Sequence, residues 1–317
     1  MSEALNNSNN ILVKHLTPNN IGALASLTKR AADDSYACLP GTILGLSERF
    51  TRPGFLAEKH VLLAWHRNRF VGFVEIIPEG VIQRATLNLW VAPDFRHIGV
   101  GKALINKANQ VCREEELNFL HVFASENNQA LHLILNKIGF TLRRRFIGML
   151  LDIKEAKENR RDYDGLQATP LLPGQEGMLA KLQNAVFAGS WGYNPNTSQT
   201  ISYSLSFSQC SLSDVRIVAN EPGEALAYCW VNIPPPHDQP NGTTFGRVSM
   251  MGVLPSERGK GLAKMALENG IAYLRSKNAA YVELTVDANN VPARRLYRRA
   301  GFIEDHVTIC FEKQVIM

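Results

Sequence analysis

The chain has 317 residues, of which 45% are hydrophobic and 20% charged, a composition typical of a globular protein with room for two domains of about 150 residues each. The net charge of +5 is modest and comes without a dense Lys/Arg stripe, so we expect no nucleic acid partner. The five scattered cysteines argue against a disulfide framework and against a metal site.

The first ten residues are polar and lack the basic-then-apolar pattern of a signal peptide. No apolar run in the chain approaches the roughly 18 residues that a membrane helix needs. We therefore expect a cytoplasmic protein with no membrane partner, in which residues 1–10 are flexible or disordered.

Apolar periodicity predicts an alternation of strands and helices in both halves of the chain. In the first half the predicted strands are 11–13, 61–65, 70–77, 86–91, 119–123 and 146–153, and the predicted helices are 19–32, 99–116 and 128–137. In the second half the predicted strands are 215–219, 225–232, 247–253, 281–286 and 307–312, and the predicted helices are 179–186, 262–274 and 291–299. The pattern favours a mixed α/β fold.

Three landmarks of the first half recur in the second at a constant offset of 162 residues. Whole-domain repetition is the simplest interpretation, since the unit is too long for a solenoid repeat. We predict an N-terminal domain over 11–154, a polar linker over 155–166 and a C-terminal domain over 167–317. The matched pairs are the segments 96–101 and 258–263, the Asn-Asn pairs ending at Asn128 and Asn290, and the Gly-Phe pairs that begin at Gly139 and Gly301.

Each of the two glycine-containing segments follows a predicted strand and opens a predicted helix. Glycines there let backbone N–H groups converge, and the helix N-terminus adds partial positive charge, so the segment forms a cradle for an anion such as a pyrophosphate. The segment is not a Walker loop, since it lacks the Gly-Lys-Ser/Thr ending, and its glycine spacing differs from the dinucleotide fingerprint.

The pattern Arg-x-x-Gly-x-Gly/Ala after a Val-x-Pro strand end resembles the acetyl-CoA loop of the GNAT family of N-acetyltransferases. A second segment of that family, Asn-x-x-Ala-x-x-Leu-Tyr-x-Lys/Arg-x-Gly-Phe, matches residues 290–302 at every position. The resemblance implies two tandem GNAT domains with mixed α/β sheets and acetyl-CoA as the cofactor. The residues it assigns to cofactor binding are Met251, Gly252, Val253, Arg258, Gly259, Lys260, Gly261, Leu262, Ala263 and Asn290 in the second half, and Val91, Arg96, His97, Ile98, Gly99, Val100 and Gly101 in the first.

The resemblance also implies how the transfer proceeds. The strand before the loop and the strand after the helix part, and a bulge in the first of them, at Met251 to Val253, aims a backbone N–H at the thioester carbonyl. Tyr297 gives a proton to the departing thiolate. A glutamate that often serves as the base is absent from strand 247–253, so Glu283 and Asp287 on the next strand are the candidate bases.

The halves are not equivalent, because Leu135 stands where the second half has Tyr297, and leucine has no proton to donate. We expect the second half to be catalytic and the first to be degenerate, either binding cofactor or only packing. Trp191 and Tyr193 are candidates for the acceptor pocket, with packing as their alternative role.

The expected activity is transfer of an acetyl group from acetyl-CoA to a primary amine of a small molecule, by a monomer or homodimer. A non-catalytic acyl-CoA sensor and a protein N-acetyltransferase remain alternatives. The proline-rich stretch 234–242 disfavours the second of these, because a protein substrate needs an open groove.

Overall fold

The computed structural model describes residues 11–32, 39–156, 165–207, 210–221, 223–234 and 244–315. Three features discussed above lie wholly or mostly outside these residues: the N-terminal segment 1–10, the linker at 157–164 and the proline-rich stretch at 235–242. No helix in the described ranges is long and apolar enough to cross a membrane.

The first half of the chain contains six strands and five helices among its described residues. The strands are β1 (Ile11–His15), β2 (Val61–His66), β3 (Arg69–Glu79), β4 (Arg84–Val91), β5 (Phe119–Ser125) and β6 (Thr141–Asp152). The helices are α1 (Ile21–Ala32), α2 (Ile43–Phe50), α3 (Ala57–His60), α4 (Val100–Glu114) and α5 (Gln129–Lys137).

The second half contains the counterparts of most of these elements. Its strands are β7 (Leu166–Pro170), β8 (Val215–Asn220), β9 (Ala225–Asn232), β10 (Phe245–Val253), β11 (Tyr281–Asp287) and β12 (Ile303–Gln314). Its helices are α6 (Glu176–Phe187), α7 (Ser198–Leu205), α8 (Leu262–Ser276) and α9 (Val291–Ala300).

The chain forms two compact units whose boundaries do not coincide with the two halves of the sequence. The N-terminal unit takes the chain up to Ala124, then Asn128–Arg143 and the residues from Cys310 onward. The C-terminal unit takes Ser125–Asn127 and Arg144–Ile309. These units differ from the predicted domains 11–154 and 167–317, because most of β6 belongs to the C-terminal unit, where it pairs with β11.

Each unit is built on a mixed sheet that contains a parallel strand pair. In the N-terminal unit, β1 to β4 pair as antiparallel neighbours and β4 pairs parallel with β5. In the C-terminal unit, β7 to β10 are antiparallel neighbours, β10 pairs parallel with β11, and β11 pairs antiparallel with β6. Helix α8 or α4 makes the crossover that a parallel pair requires.

The structural repeat has two offsets rather than one. Downstream, α4 and α8 each have 15 residues and begin 162 positions apart, at Val100 and Leu262. Upstream, α1 and α6 each have 12 residues and begin 155 positions apart, at Ile21 and Glu176. The seven additional residues of the second half therefore lie between these points, and the sequence comparison at 162 alone did not reach the upstream elements.

In the C-terminal unit the sheet is packed on both faces, and β9 supplies residues to each. Cys229 and Val231 belong to the core cluster under α8, while Tyr228 and Trp230 belong to the cluster under α6. This alternation follows from the two-residue period of a strand. All four side chains are buried, so β9 lies between two apolar layers.

We predict that Gly252→Ala destabilises the protein. A Cβ at Gly252 would lie 2.1 Å from Cγ1 of Val186 on α6, so the helix or the strand must shift. Overpacking of this kind costs about 1–3 kcal/mol in the free energy of unfolding, measurable by urea titration. Gly177→Ala on α6 is the control, because the nearest atom to the added Cβ would be Cβ of Ser198, at 4.0 Å. Equal stability of wild type and Gly252→Ala would contradict the packing argument.

Candidate active site

The parallel ladder of the C-terminal unit is short. It joins Phe245–Val248 of β10 to Tyr281–Leu284 of β11 and goes no further, so the remaining residues of the two strands are not paired with each other. The N-terminal unit has the same feature, with pairing only between Arg84–Thr86 and Phe119–His121. The predicted parting of the strands is therefore present in both units. Unpaired backbone groups along such a gap can pair with an extended ligand in the manner of an added strand.

A β-bulge lies where the C-terminal ladder stops. Val248 is opposite Val231 and Met250 is opposite Trp230, so Ser249 has no opposite residue on β9. β10 has nine residues, whereas β4 has eight and pairs with β3 without a shift. The bulge is thus a one-residue insertion that is present in the C-terminal unit and absent from β4.

The position of the bulge differs from the sequence-based expectation. It is at Ser249 rather than within Met251, Gly252 and Val253, which are in regular register with β9. The apolar pattern of the strand does not reveal its register with β9. An inserted residue moves the side chains that follow it to the other face of the sheet without changing the composition of the strand. Met251 packs against the α8 cluster, and Val253 is buried in it.

The loop before α8 has the geometry of an anion cradle. Gly259 and Gly261 have φ of 84° and 92°, and Gly261 is the N-cap of α8. The first N–H groups of a helix, here those from Leu262 and Ala263, have no acceptor within the helix and carry its partial positive charge. The side chain of Lys260 forms an exposed ion pair of 2.9 Å with Glu257.

The loop of the N-terminal unit is similar but more strained. Gly99 has φ of 99° and is the N-cap of α4, which begins with Val100 and Gly101. Where the second loop has Gly259, the first has His97, whose φ is 66°. A left-handed conformation is unfavourable for a residue with a Cβ, so this loop stores strain that glycine avoids in the other. Ile98, the remaining residue of the predicted site, is exposed beside it.

The arginines of both loops hold the loop to the protein itself. Arg258 donates to the carbonyls of Val253 at 3.4 Å and Val186 at 2.9 Å, and Arg96 donates to the carbonyl of Val91 at 3.0 Å. These bonds fix the angle between the strand end and the loop. For these donors the observed role is therefore positioning the cradle.

Asn290 has a structural task as well. Its Oδ1 accepts a hydrogen bond of 3.2 Å from the N–H of Ala293 and so caps α9, as Asn128 caps α5 through Leu131 at 3.1 Å. This cap leaves the amide NH₂ of Asn290 as the group that can approach a cofactor. The other end of α9 is closed by Gly301, with φ of 106°.

Tyr297 is a buried residue of α9, 8% exposed, and packs at a ring distance of 5.9 Å from Phe302. Burial raises its pKa well above the ordinary value, with a smaller contribution from Cys229. Burial also raises the pKa of Cys229 to about 12. The phenol therefore keeps its proton at neutral pH, as a proton donor must.

The two candidate bases are both engaged by arginines. Glu283 accepts from Nε of Arg247 at 2.5 Å and lies in the paired part of the ladder, opposite Arg247. Asp287 is at the end of β11, where Arg144 approaches it at 3.5 Å. Only Asp287 lies in the part of β11 that has left the ladder with β10.

Trp191 and Tyr193 occupy different environments. Trp191 lies 6.2 Å from the ring of Phe146 and under the guanidinium of Arg144 at 5.3 Å. Tyr193 donates a hydrogen bond of 2.8 Å to Oδ1 of Asn184 on α6. Burial raises the pKa of Tyr193.

The structure also brings forward two residues that the sequence analysis did not select. Tyr228 on β9 is fully buried, opposite Gly252, and its hydroxyl has no hydrogen-bond partner among the described residues. Burial, followed by Tyr193, Cys229 and Tyr297, raises its pKa. Gln183 on α6 is 1% exposed, and its Nε2 likewise has no partner in the described part of the chain. Aligning the upstream halves at 155 instead of 162 would have revealed both, since they correspond to Phe73 and Thr28.

Comparison with known proteins identifies the family. The model of the acetyltransferase (GNAT) family matches twice, over residues 34–140 and 184–302. The chain belongs to the GNAT family. It is an acyltransferase, with two tandem GNAT domains of mixed α/β structure.

Relatives and solved structures of similar length match most of the chain. Mycothiol acetyltransferase of Acidothermus cellulolyticus is 27% identical over 269 residues, which cover 80% of this chain and 79% of that protein. The GCN5-related N-acetyltransferase of Sphaerobacter thermophilus has a TM-score of 0.69 at 18% identity and covers 97% of this chain and 96% of its own. A tandem GNAT protein of the clavulanic acid biosynthesis pathway has a TM-score of 0.71 at 15% identity, covering 97% and 99%. These two structures support the fold alone.

We predict that Gly261→Asp weakens acetyl-CoA binding at the C-terminal loop by roughly tenfold or more, equivalent to about 1.4 kcal/mol, because a carboxylate then faces the pyrophosphate. Gly261→Asn is the matched control, since asparagine has the same shape and tolerates positive φ without the charge. Titration calorimetry in the Gly99→Asp background isolates this loop. Equal affinities of the aspartate and asparagine variants would exclude an anion at this position.

Proposed function

We propose that the C-terminal unit transfers the acetyl group of acetyl-CoA to a primary amine of a small molecule. The observation that carries this proposal is the bulge at Ser249, which lies where β10 and β11 part. It coincides in one unit with the glycine loop before α8 and with Tyr297. The N-terminal unit has the loop and the parted strands, but its β4 has no bulge and Leu135 replaces the tyrosine.

The cofactor fits the residues present. Acetyl-CoA supplies the thioester and, on transfer, a thiol as leaving group. The N–H groups at the start of α8 hold its pyrophosphate, and the unpaired edge of β10 binds the pantetheine arm. At the bulge, a backbone N–H released from the ladder polarises the carbonyl that the amine attacks.

Two proton movements accompany the transfer. The acceptor amine has to lose a proton, because a free alkyl amine has a pKa near 10.4. Asp287, at the end of β11 that is no longer paired with β10, is the better placed of the two carboxylates, with water as the connection to the amine. Tyr297 carries a proton at neutral pH and donates it toward the departing sulfur.

The N-terminal unit is proposed to lack catalysis of its own. Its loop retains the helix N-terminus and a left-handed Gly99, so binding of a CoA pyrophosphate remains compatible with it. A cofactor bound there would contribute to stability or regulation rather than to turnover. The same measurements therefore distinguish a catalytic C-terminal unit from an acyl-CoA sensor.

We predict that the matched loop variants differ in turnover. Gly261→Asp should lower the rate of thiol release at subsaturating acetyl-CoA by about tenfold or more in the presence of an acceptor amine, while Gly99→Asp should retain most of the wild-type rate. The measurement is steady-state thiol release with a panel of primary amines. The opposite result would mean that the N-terminal unit is catalytic, and tight CoA binding without turnover on any amine would support the sensor.

We predict that Tyr297→Phe lowers kcat by about a hundredfold or less while the affinity for acetyl-CoA is largely retained. The ring and its packing on Phe302 remain, and only the proton is lost. The deficit should shrink as the pH rises through about 8.5, the ordinary pKa of a thiol, since the thiolate then leaves unaided. The readout is a pH profile of single-turnover acetyl transfer, with circular dichroism as the folding control. A deficit that is constant with pH would contradict the acid role.

A further inference from the structure

The C-terminal unit contains a cavity of about 320 Å³ next to the bulge. It lies between α6, α7 and the strands β9 and β10, and Ser249 itself is in its wall. A volume near the lower end of the range for ligand sites holds a molecule of monosaccharide size. Its described lining residues are Gln183, Asn196, Ile201, Ser204, Cys210, Trp230, Asn232, Ser249 and Met250.

The lining combines neutral polar groups with an apolar wall. Amides and hydroxyls come from five of the described residues, while Trp230 and Met250 provide apolar surface. None of the described lining residues carries a charge. A carboxylate or phosphate bound here would lose its hydration without a cationic partner in that lining, which is costly. Hydroxyl groups on a small ring suit such a lining, because they pair with amides and place C–H surface against an aromatic ring.

Gln183 gives this cavity an unsatisfied donor. Its Oε1 accepts a hydrogen bond of 2.7 Å from Nδ2 of Asn196, which fixes the orientation of the amide. The Nε2 of Gln183 has no partner among the described residues, although the residue is only 1% exposed. A buried donor left in this way keeps the full desolvation penalty of the group. A ligand oxygen that reaches Nε2 from the adjoining cavity would remove that penalty.

The cavity wall is held in place by a second layer of hydrogen bonds. Asn184 donates to the carbonyl of Asn196 at 2.9 Å and accepts from the N–H of Asn196 at 2.8 Å. Tyr193 donates to the same Asn184 oxygen at 2.8 Å. Tyr193 therefore positions Asn196, which in turn orients Gln183.

The equivalent place in the N-terminal unit is filled. The internal repeat relates Ser204, Trp230 and Met250 to Arg49, Glu75 and Asn88. Glu75 is fully buried there, accepts from Arg49 at 2.6 and 2.8 Å and accepts from Asn88 at 2.6 Å. Thr28, the counterpart of Gln183, donates to the carbonyls of Ala25 at 3.0 Å and Pro40 at 2.8 Å.

The two units differ at this equivalent place. The N-terminal unit, which lacks the bulge, has an ion-pair cluster around Glu75 there. The C-terminal unit, which has the bulge, has a cavity whose described lining is uncharged and which is bordered by an unsatisfied donor. Ordinary variation of packing does not require the cavity, the lost charges and the bulge to occur together.

We propose that this cavity is the acceptor site and that it selects a polyhydroxylated amine whose amino group is its only ionisable group, such as an amino sugar, with Gln183 contacting an acceptor oxygen. This inference rests on the proposed acetyl transfer in the C-terminal unit. It adds the class of acceptor and the residues that discriminate it. Acceptors with an additional carboxylate, phosphate or ammonium group are disfavoured, because none of the described lining residues offers a charged partner.

A chemical footprint tests the site without activity. Cys210 lines the cavity and is partly exposed, whereas Cys112, Cys229 and Cys310 are buried. Alkylation of Cys210 by iodoacetamide, followed by peptide mass spectrometry, should slow severalfold with glucosamine, galactosamine or 2-amino-1,3-propanediol. Glucosamine 6-phosphate and spermidine at the same concentration should leave the rate unchanged. Protection by glucosamine 6-phosphate or spermidine alone, or by none of the three hydroxylated amines, overturns the proposal.

A variant pair tests the role of Gln183. Gln183→Met keeps the length of the side chain and removes the amide, so KM for the best hydroxylated amine should rise about tenfold while acetyl-CoA affinity is retained. The footprint protection should weaken in parallel. Thr28→Val is the matched control at the equivalent position and should affect stability only. Unchanged KM and protection in a folded Gln183→Met would exclude the contact.

The failures of the two proposals are distinguishable. If acetyl transfer is absent but the hydroxylated amines still protect Cys210, the acceptor site stands and the proposed chemistry is wrong. If transfer occurs with amines that carry additional charged groups and Cys210 is never protected by the hydroxylated amines, the chemistry stands and the acceptor class is wrong.

Discussion

The C-terminal site depends on one interruption of backbone pairing. β10 leaves β11 after Val248, and the residue that follows is the bulged Ser249. Backbone N–H and C=O groups inside a protein are nearly always paired, so a strand can expose them only where a ligand or water takes over. The strands part in both units, and the inserted residue adds a change of register beside the cavity that β4 lacks. In the proposed reaction, the glycine loop and Tyr297 act on a ligand that is held in this opening.

The two units share one fold but bury different polar side chains. At equivalent positions the C-terminal unit has Gln183 and Tyr228 where the N-terminal unit has Thr28 and Phe73. The third contrast, Tyr297 against Leu135, was accessible from the sequence. Tyr228 and Tyr297 each add a hydroxyl to a buried position. Gln183 stands where the N-terminal unit has a threonine with a satisfied hydroxyl, and the Nε2 of Gln183 has no partner among the described residues. The N-terminal unit instead concentrates its buried polarity in the cluster around Glu75, where each carboxylate oxygen has a donor.

Much of the architecture could be predicted from the sequence, and the exceptions have identifiable causes. The family, the loop before α8 and the α9 segment were predicted because their glycines, caps and apolar periods are local features. Helices α2 and α7 were not predicted, and α7 is mostly polar, with a single buried residue, Ile201. The pairing of β6 with β11 and the position of the bulge depend on contacts between distant segments, which periodicity does not encode. The cavity went unpredicted for the same reason: its walls come from segments that are up to 67 positions apart, from Gln183 to Met250.

The energetic consequence is that the C-terminal unit keeps features that folding alone would remove. A cavity forfeits packing contacts, and the unsatisfied Nε2 of Gln183 and hydroxyl of Tyr228 each forfeit a hydrogen bond. Replacement of these residues by the N-terminal counterparts, a satisfied threonine and a phenylalanine, would be expected to stabilise the unit. Stability alone therefore favours the N-terminal arrangement, and binding of the proposed acceptor would account for the C-terminal one. Natural sites commonly combine local instability with function in this way, because groups that await a ligand cannot already be satisfied by the protein. The contrast between two copies in one chain makes the argument stronger than either unit alone, since both fold in the same solvent and at the same temperature.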